Sequence, residues 1–127
     1  MALFYVNLLL IAIGGALGSV ARFLFSSLVQ RSVPSLFPFG TLAVNLAGCL
    51  VFGVIAGALA QQRVALAPDT RAFLLIGVLG GFTTFSTFAF ESVQLLNDGQ
   101  VLWAALNVVG QVVAGIAGLW VGYVITY

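Results

Sequence analysis

The segment GGFTTFSTF, Gly80 to Phe88, places two adjacent glycines and four hydroxyl side chains among three phenylalanines. Glycine lowers the cost of leaving helical geometry, and threonine and serine hydroxyls can hydrogen-bond the backbone groups that a break would free. The segment therefore predicts a helix that is interrupted at this point. The alternative is an unbroken helix that uses its glycines for packing and its hydroxyls for local hydrogen bonds.

The composition indicates which solvent surrounds this segment. Of the 127 residues, 62% are hydrophobic and only 6% are charged, whereas soluble proteins carry about a quarter charged residues. The chain therefore predicts a single integral membrane domain over residues 1–127. A formal charge of +1 offers no basic surface for nucleic acid. One cysteine and no histidine exclude an internal disulfide and argue against a zinc site, and an enzyme is the least expected class.

Four apolar segments are long enough to cross a membrane, because a helix needs about 20 residues to span the hydrocarbon layer. They cover residues 3–29, 41–59, 71–96 and 101–127. Proline, glycine and polar residues in QRSVPSLFPFG, AQQRVALAPDT and NDGQ mark the connections between them. The expected fold class is an all-α membrane protein of four transmembrane helices, the third broken mid-membrane.

The arginines are balanced between the two ends of the bundle. Arg22 and Arg31 belong to one end, and Arg63 and Arg71 to the other, so the positive-inside rule has almost no bias on which to act. The chain has either one weakly determined topology or a dual topology, in which copies insert in both orientations and pair antiparallel. Four helices make a thin bundle, and a pathway is built most easily between two copies, which favours a homodimer.

Pairs of glycines four residues apart occur in every span. Such spacing lets helix backbones approach closely in a membrane, although some pairs among 15 glycines arise by chance. The pairs are Gly14 with Gly18, Gly53 with Gly57, Gly77 with Gly81, and Gly118 with Gly122.

Polar side chains inside the spans mark a partner, a cavity or a pathway. Thr41 and Asn45 share a helical face, and the Asn45 amide is either an interhelical hydrogen bond or a neutral donor to an anion. Arg22 either reaches the lipid headgroups or supplies a fixed positive charge at a pore entrance. Glu91 continues a polar stripe from Thr84 and Thr87, and is expected near the helix end, paired with an arginine or with helix donors.

The remaining interior groups suit an anion better than a cation. Asn107 and Gln111 lie one turn apart on the fourth span and either line a polar seam or cross-link helices, the latter being the expectation for Gln111. Phe82 and Phe85 lie three residues apart, and the edge of an aromatic ring carries positive potential that can face an anion. Carbonyls freed by the break could hold Na⁺ or another cation.

Three motifs in order carry a resemblance to a known family over essentially the whole chain. They are GGALGSVARF at Gly14 to Phe23, FGTLAVNLAGCLVFG at Phe39 to Gly53, and GVLGGFTTFSTFAFE at Gly77 to Glu91. With them, the chain resembles the Fluc-type (CrcB) fluoride channels. The resemblance implies antiparallel, dual-topology homodimers with two fluoride pores along the interface, which passively export cytoplasmic fluoride across the bacterial cytoplasmic (inner) membrane.

The resemblance also assigns roles to residues. It implies that Asn45 is the pore-lining amide, that Phe82 and Phe85 supply ring edges, and that the backbone carbonyls of Gly81 and Thr84 hold a structural Na⁺ at the dimer centre. The pore residues expected in this sequence are Asn45, Phe82, Phe85, Thr84, Thr87, Thr41 and Arg22. The fourth span matches least, since no serine or threonine track surrounds Gln111.

Two rival functions stand beside a channel. A small dual-topology, proton-coupled exporter of cationic compounds would need a central membrane carboxylate, and Glu91 is its candidate. A structural subunit of a larger membrane complex would carry no ion flux of its own. The sequence leaves open the conduction rate, the strictness of selection between fluoride and chloride, and gating.

Overall fold

The computed structural model describes residues 1–127, apart from the side chain of Ala2. Among the residues described, four helices are long and apolar enough to cross a membrane, the third of them spanning Pro68–Asn97. The first two are α1 (Ala2–Ser32) and α2 (Phe39–Ala60), and the last is α6 (Val101–Thr126). The predicted four-span, all-helical architecture is confirmed, with each boundary within a few residues of its predicted position. The protein is a multi-pass membrane protein.

The third span is not one continuous α-helix. It begins with α3 (Pro68–Arg71), continues as a π-helix (Ala72–Leu79) and a short α4 (Gly80–Phe82), and resumes as α5 (Phe85–Asn97). Thr83 and Thr84 between α4 and α5 are extended, with φ/ψ of −79°/158° and −150°/115°. The predicted interruption is therefore present, although it lies at the two threonines and the glycine pair before them stays helical.

The glycines serve helix packing. A Cβ atom on Gly81 would lie 2.6 Å from the Gly15 carbonyl oxygen, and one on Gly14 would lie 2.6 Å from that of Phe73. Similar close approaches join Gly53 of α2 to Leu119 of α6. As a result α1 packs against the π-helix and α4, and α2 packs against α6. The predicted role of the glycine pairs in close helix contact is confirmed.

The connections are short and held by few groups. In the first loop, the Gln30 amide donates to the carbonyls of Ser35 (3.0 Å) and Phe37 (3.3 Å) and accepts from the Gly40 amide (3.0 Å). The turn before α6 contains Gly99 at a φ of 73°, a left-handed conformation in which glycine has no steric penalty. These turns set α1 beside the start of α2, and α5 beside α6.

The outer surface of the bundle is apolar. Large side chains such as Phe23, Leu102 and Ile116 are each more than 60% exposed, whereas Asn107 and Val44 are fully buried. A single copy therefore encloses only a thin core, in which polar groups are as buried as apolar ones. This distribution is the one expected of a protein whose solvent is lipid.

Candidate functional site

Asn45 of α2 holds the broken part of the third span through its backbone. The Thr84 amide donates to Asn45 Oδ1 at 2.8 Å, and Asn45 Nδ2 donates to the Thr84 carbonyl at 3.0 Å. The extended conformation of Thr84 turns both groups away from the helix axis, where an unbroken helix would have paired them internally. One amide side chain thus replaces two lost backbone hydrogen bonds.

A chain of side-chain hydrogen bonds leads from Asn45 across α6. Asn45 Nδ2 also donates to Gln111 Oε1 at 2.7 Å, and Gln111 Nε2 donates to Asn107 Oδ1 at 3.1 Å. Asn107 Nδ2 in turn donates to Ser92 Oγ at 2.9 Å, and Ser92 Oγ donates to the Phe88 carbonyl at 2.8 Å. Asn107, Gln111 and Ser92 are all at most 8% exposed. The fourth span therefore cross-links the site, as expected for Gln111.

The restart of the third span is capped by the same threonine. Thr84 Oγ1 accepts from the Thr87 amide at 3.2 Å and donates to Thr87 Oγ1 at 2.9 Å. A hydroxyl at this position satisfies one of the amides that the first turn of a helix leaves free. The second threonine of the pair thus serves both the break and the new helix, while Thr83 Oγ1 donates back to the Leu79 carbonyl at 3.1 Å.

The carbonyls predicted to bind Na⁺ already have donors. The Thr84 carbonyl accepts from Asn45, and the Gly81 carbonyl accepts from the Ser19 hydroxyl at 3.5 Å. The amides of Thr84 and Thr87, which would bond to the carbonyls of Gly80 and Thr83 in an unbroken helix, donate to side chains instead. The carbonyls of Gly80 and Thr83 therefore lack both their helical amide and a side-chain donor, whereas those of Gly81 and Thr84 each accept one side-chain hydrogen bond and keep a second lone pair. The Na⁺ site at Gly81 and Thr84 stays a prediction.

Four of the predicted pore residues border one polar cavity of about 290 Å³, called here the Arg22 cavity. Arg22 is half-buried at its wall. The polar residues that line the cavity are Ser19, Arg22, Ser26, Thr41, Thr84 and Thr87. The arrangement places one fixed positive charge and several hydroxyls on the same space, as an anion requires.

Two further predicted residues border a second cavity of about 290 Å³, called here the Gln111 cavity. Asn45, Phe85, Phe88 and Gln111 line it. The rings of Phe85 and Phe88 are 5.4 Å apart at an interplanar angle of 64°, an edge-to-face pair. The break separates Phe82 from Phe85, and Phe82 lies beside Phe25 of α1, with ring centroids 6.1 Å apart. The pore role of Phe82 and Phe85 stays a prediction.

Glu91 is bound by a hydroxyl of the neighbouring helix. Thr41 Oγ1 donates to Glu91 Oε1 at 2.7 Å, whereas an arginine or helix donors were the expected partners. Glu91 Oε2 is buried, and no partner for it occurs among the described residues. The carboxyl group also borders a polar cavity of about 470 Å³ with Gln30, Gln94 and Asp98.

Sequence reasoning missed Phe88 and Ser92. Neither is among the pore residues predicted from the sequence, although both belong to the hydrogen-bonded chain and Phe88 lines the Gln111 cavity. The signal was present in their spacing, since Phe85 and Phe88 lie three apart and Ser92 lies one further turn along α5.

Comparisons with known proteins agree with this architecture. A sequence model of the family described as CrcB-like protein, Camphor Resistance (CrcB), matches residues 9–123. A relative from Nitratidesulfovibrio vulgaris (strain DSM 19637 / Miyazaki F), named Fluoride-specific ion channel FluC, is 50% identical over 91% of this chain and 93% of its own length. Proteins of the same name from Maridesulfovibrio salexigens and Methylobacillus flagellatus are 48% and 46% identical, over 86% and 92% of this chain and 86% and 91% of theirs. This chain of four membrane-spanning helices therefore belongs to the CrcB family.

Proposed function

We propose that the protein is a fluoride-selective ion channel of the bacterial cytoplasmic membrane, which passively exports cytoplasmic fluoride and so lowers its concentration in the cell. The observation that carries the proposal is its likeness, over about nine-tenths of its length, to proteins named as fluoride-specific channels. The family match covers all four spans.

The chemistry of the two cavities supports an anion as the permeating species. The Arg22 cavity offers a guanidinium and hydroxyls, and the Gln111 cavity offers amides and ring edges. A small, tightly hydrated anion loses its water only where short neutral donors replace it, and it leaves again only where binding is weak. Ring edges provide weak attraction without a countercharge. The ring pair that supports this role is Phe85 with Phe88, and Phe82 belongs to the packing against α1.

An antiparallel, dual-topology homodimer with two pores along its interface follows from the same proposal. The exposed ring of Phe85, 78% accessible beside the Gln111 cavity, supports a second copy as its cover. The balance of two arginines at each end supports insertion in either orientation. Each cavity of one copy would then be closed by the other copy, which makes two equivalent paths.

A structural Na⁺ at the dimer centre is part of the proposal, with its ligands moved by one residue. The carbonyls of Gly80 and Thr83, whose helical amides are used elsewhere, are better suited than those of Gly81 and Thr84. Oxygen donors are the ligands a hard cation prefers. When bound, the cation would neutralise the negative ends of these carbonyl dipoles, while Asn45 keeps the break open around them.

The test is halide efflux from liposomes that contain only the purified protein, followed with a fluoride electrode and then a chloride electrode. Rapid loss of fluoride with retention of chloride is the expected result. Loss of neither ion from folded, dimeric protein would contradict the proposal. It would favour the proton-coupled exporter. The supporting observation is the carboxyl group of Glu91, in which Oε1 accepts a hydrogen bond from Thr41 and the buried Oε2 has no partner among the described residues.

A further inference from the structure

Arg22 carries a full positive charge on a membrane-spanning helix, and the lining of the Arg22 cavity contains no carboxyl group. Glu91 reaches this wall only through the hydroxyl of Thr41, which donates to it at 2.7 Å. Arg63, by contrast, donates to the Tyr127 carbonyl at 3.2 Å, whereas Arg22 has no acceptor among the residues that the structure describes. A charged group within a span needs a partner. The partner of Arg22 therefore comes from outside the described chain.

Two serines of α1 flank Arg22 on the same face of the helix. Ser19, Arg22 and Ser26 are spaced by three and four residues, which places them along one stripe, and all three line the Arg22 cavity. The two hydroxyls make only long hydrogen bonds to backbone carbonyls, 3.5 Å from Ser19 to Gly81 and 3.3 Å from Ser26 to Phe23. Because such long hydrogen bonds are weak, either hydroxyl can turn to a ligand. The face thus presents a guanidinium between two further donors.

The size of the cavity favours a ligand larger than a bare halide. Its volume of about 290 Å³ has room for several water molecules, since one water needs about 10 to 15 Å³ of such space. Fluoride would therefore stay hydrated here and be held weakly. An oxyanion of the phosphate class is larger and presents several oxygens at fixed angles. The planar fork of the guanidinium can bind two of these oxygens at once, and a third can accept from a serine hydroxyl.

We propose that the Arg22 cavity binds a phosphate group, and that its occupation slows the passage of fluoride. The phosphate belongs either to inorganic phosphate or to a lipid headgroup, because Phe23 at the cavity wall is 68% exposed and the space is open at the surface of the bundle. A bound phosphate carries at least one negative charge and so cancels the attraction of the guanidinium for other anions. The effect on fluoride rests on the proposed function, whereas the binding itself does not.

Binding is measured by isothermal titration calorimetry of the purified protein in a neutral sugar detergent. The titrants are sodium phosphate, with sodium chloride at equal ionic strength as its reference, and a short-chain phosphatidylglycerol, with a short-chain diacylglycerol as its reference. Saturable heat from sodium phosphate would identify the free ion as a ligand, and heat from the phosphatidylglycerol alone would identify the headgroup. Saturable heat from neither titrant would overturn the proposal.

The variants locate the site. Arg22→Gln removes the guanidinium fork and should weaken the affinity by roughly 10- to 100-fold, as expected for a hydrogen bond between charged groups. Arg31→Gln removes an exposed arginine of the same helix and should leave the affinity unchanged. Where Arg22→Gln does not fold, Ser26→Ala should weaken the affinity by roughly 2- to 10-fold. Wild-type affinity in Arg22→Gln, or in Ser26→Ala if only that variant folds, would overturn the proposal.

Fluoride efflux tests the consequence of binding. The protein is placed in vesicles of a neutral galactolipid, which contains no phosphate, and the titrant that binds is then present on both sides of the membrane at constant ionic strength. It should slow fluoride efflux several-fold in the wild type and in Arg31→Gln, but not in Arg22→Gln. Undiminished efflux from the wild type with bound phosphate would overturn the effect on fluoride. Absence of efflux from the wild type without phosphate would instead contradict the channel, and calorimetry would still decide whether the cavity binds phosphate.

Discussion

Replacing Asn45 with leucine should destabilise the protein through the break in the third span. The substitution keeps the shape of the side chain but removes three hydrogen bonds, to the Thr84 amide, the Thr84 carbonyl and Gln111 Oε1. Side-chain hydrogen bonds in helical membrane proteins average about 0.6 kcal/mol, and those in soluble proteins about 1 kcal/mol. Three such bonds give an expected loss of about 2 to 3 kcal/mol, or roughly 30- to 150-fold in the unfolding equilibrium.

The measurement is reversible unfolding in mixed micelles by titration with sodium dodecyl sulfate, followed by the fluorescence of Trp103 and Trp120. The matched control is Asn97→Leu, which changes the same residue type at the exposed end of α5 and should alter the free energy of unfolding by less than about 0.5 kcal/mol. If Asn45→Leu unfolds like the control and yet conducts fluoride more slowly, Asn45 acts on the ion. The claim that its hydrogen bonds to the Thr84 backbone stabilise the break is then refuted.

Three further substitutions test other parts of the structure. Gly81→Ala should weaken the packing of the third span on α1 by about 1 to 3 kcal/mol, because its Cβ would lie 2.6 Å from a backbone oxygen; Gly80→Ala, whose Cβ meets nothing closer than 3.8 Å, should be tolerated, and equal unfolding free energies for the two variants would contradict this packing. Phe88→Leu should slow fluoride efflux from liposomes several-fold more than Phe82→Leu, since only Phe88 pairs its ring with the exposed ring beside the Gln111 cavity; the reverse order would support the pore role that the sequence predicts for Phe82. Glu91→Gln keeps an acceptor for the Thr41 hydroxyl, so fluoride efflux should continue in this variant. If the variant loses fluoride efflux and the wild type exports a cationic dye in response to a proton gradient, the protein is the proton-coupled exporter.

The sequence predicted the architecture because lipid imposes one dominant rule. Spans of about 20 apolar residues must be helical, and the four predicted spans agree with α1, α2, the third span and α6. The interruption was predicted as well, because hydroxyls and glycines together favour it. Its position was less accurate, since Gly80 and Gly81 suit both a break and a close helix contact, and only the approach of Gly15 on α1 shows which use they serve.

The details of the candidate site depended on that position. A shift of the break from the glycines to Thr83 and Thr84 changes which rings share a face, which is why Phe85 pairs with Phe88. The same shift changes which backbone carbonyls lack the hydrogen bond that an amide four residues later would donate in a continuous helix, here those of Gly80 and Thr83. The use of both Asn45 N–H groups could not be predicted, because it requires the distance from α2 to a non-helical carbonyl and to Gln111 at once.

The π-helical stretch Ala72–Leu79 sets the angular phase of everything that follows it in the third span. Its hydrogen bonds run from residue i to residue i+5, so the chain turns through less than the ~100° per residue of an α-helix. Loss of one residue from this stretch could be absorbed by a return to ordinary α-helix, because fewer residues would then each turn further. The residues beyond it would largely keep their direction, and Thr84 would still face Asn45. Loss of one residue from α5 or another regular α-helix would instead rotate everything after it by ~100°. The π-helical stretch is therefore the part of the third span that best tolerates a single-residue deletion, which its hydropathy cannot reveal.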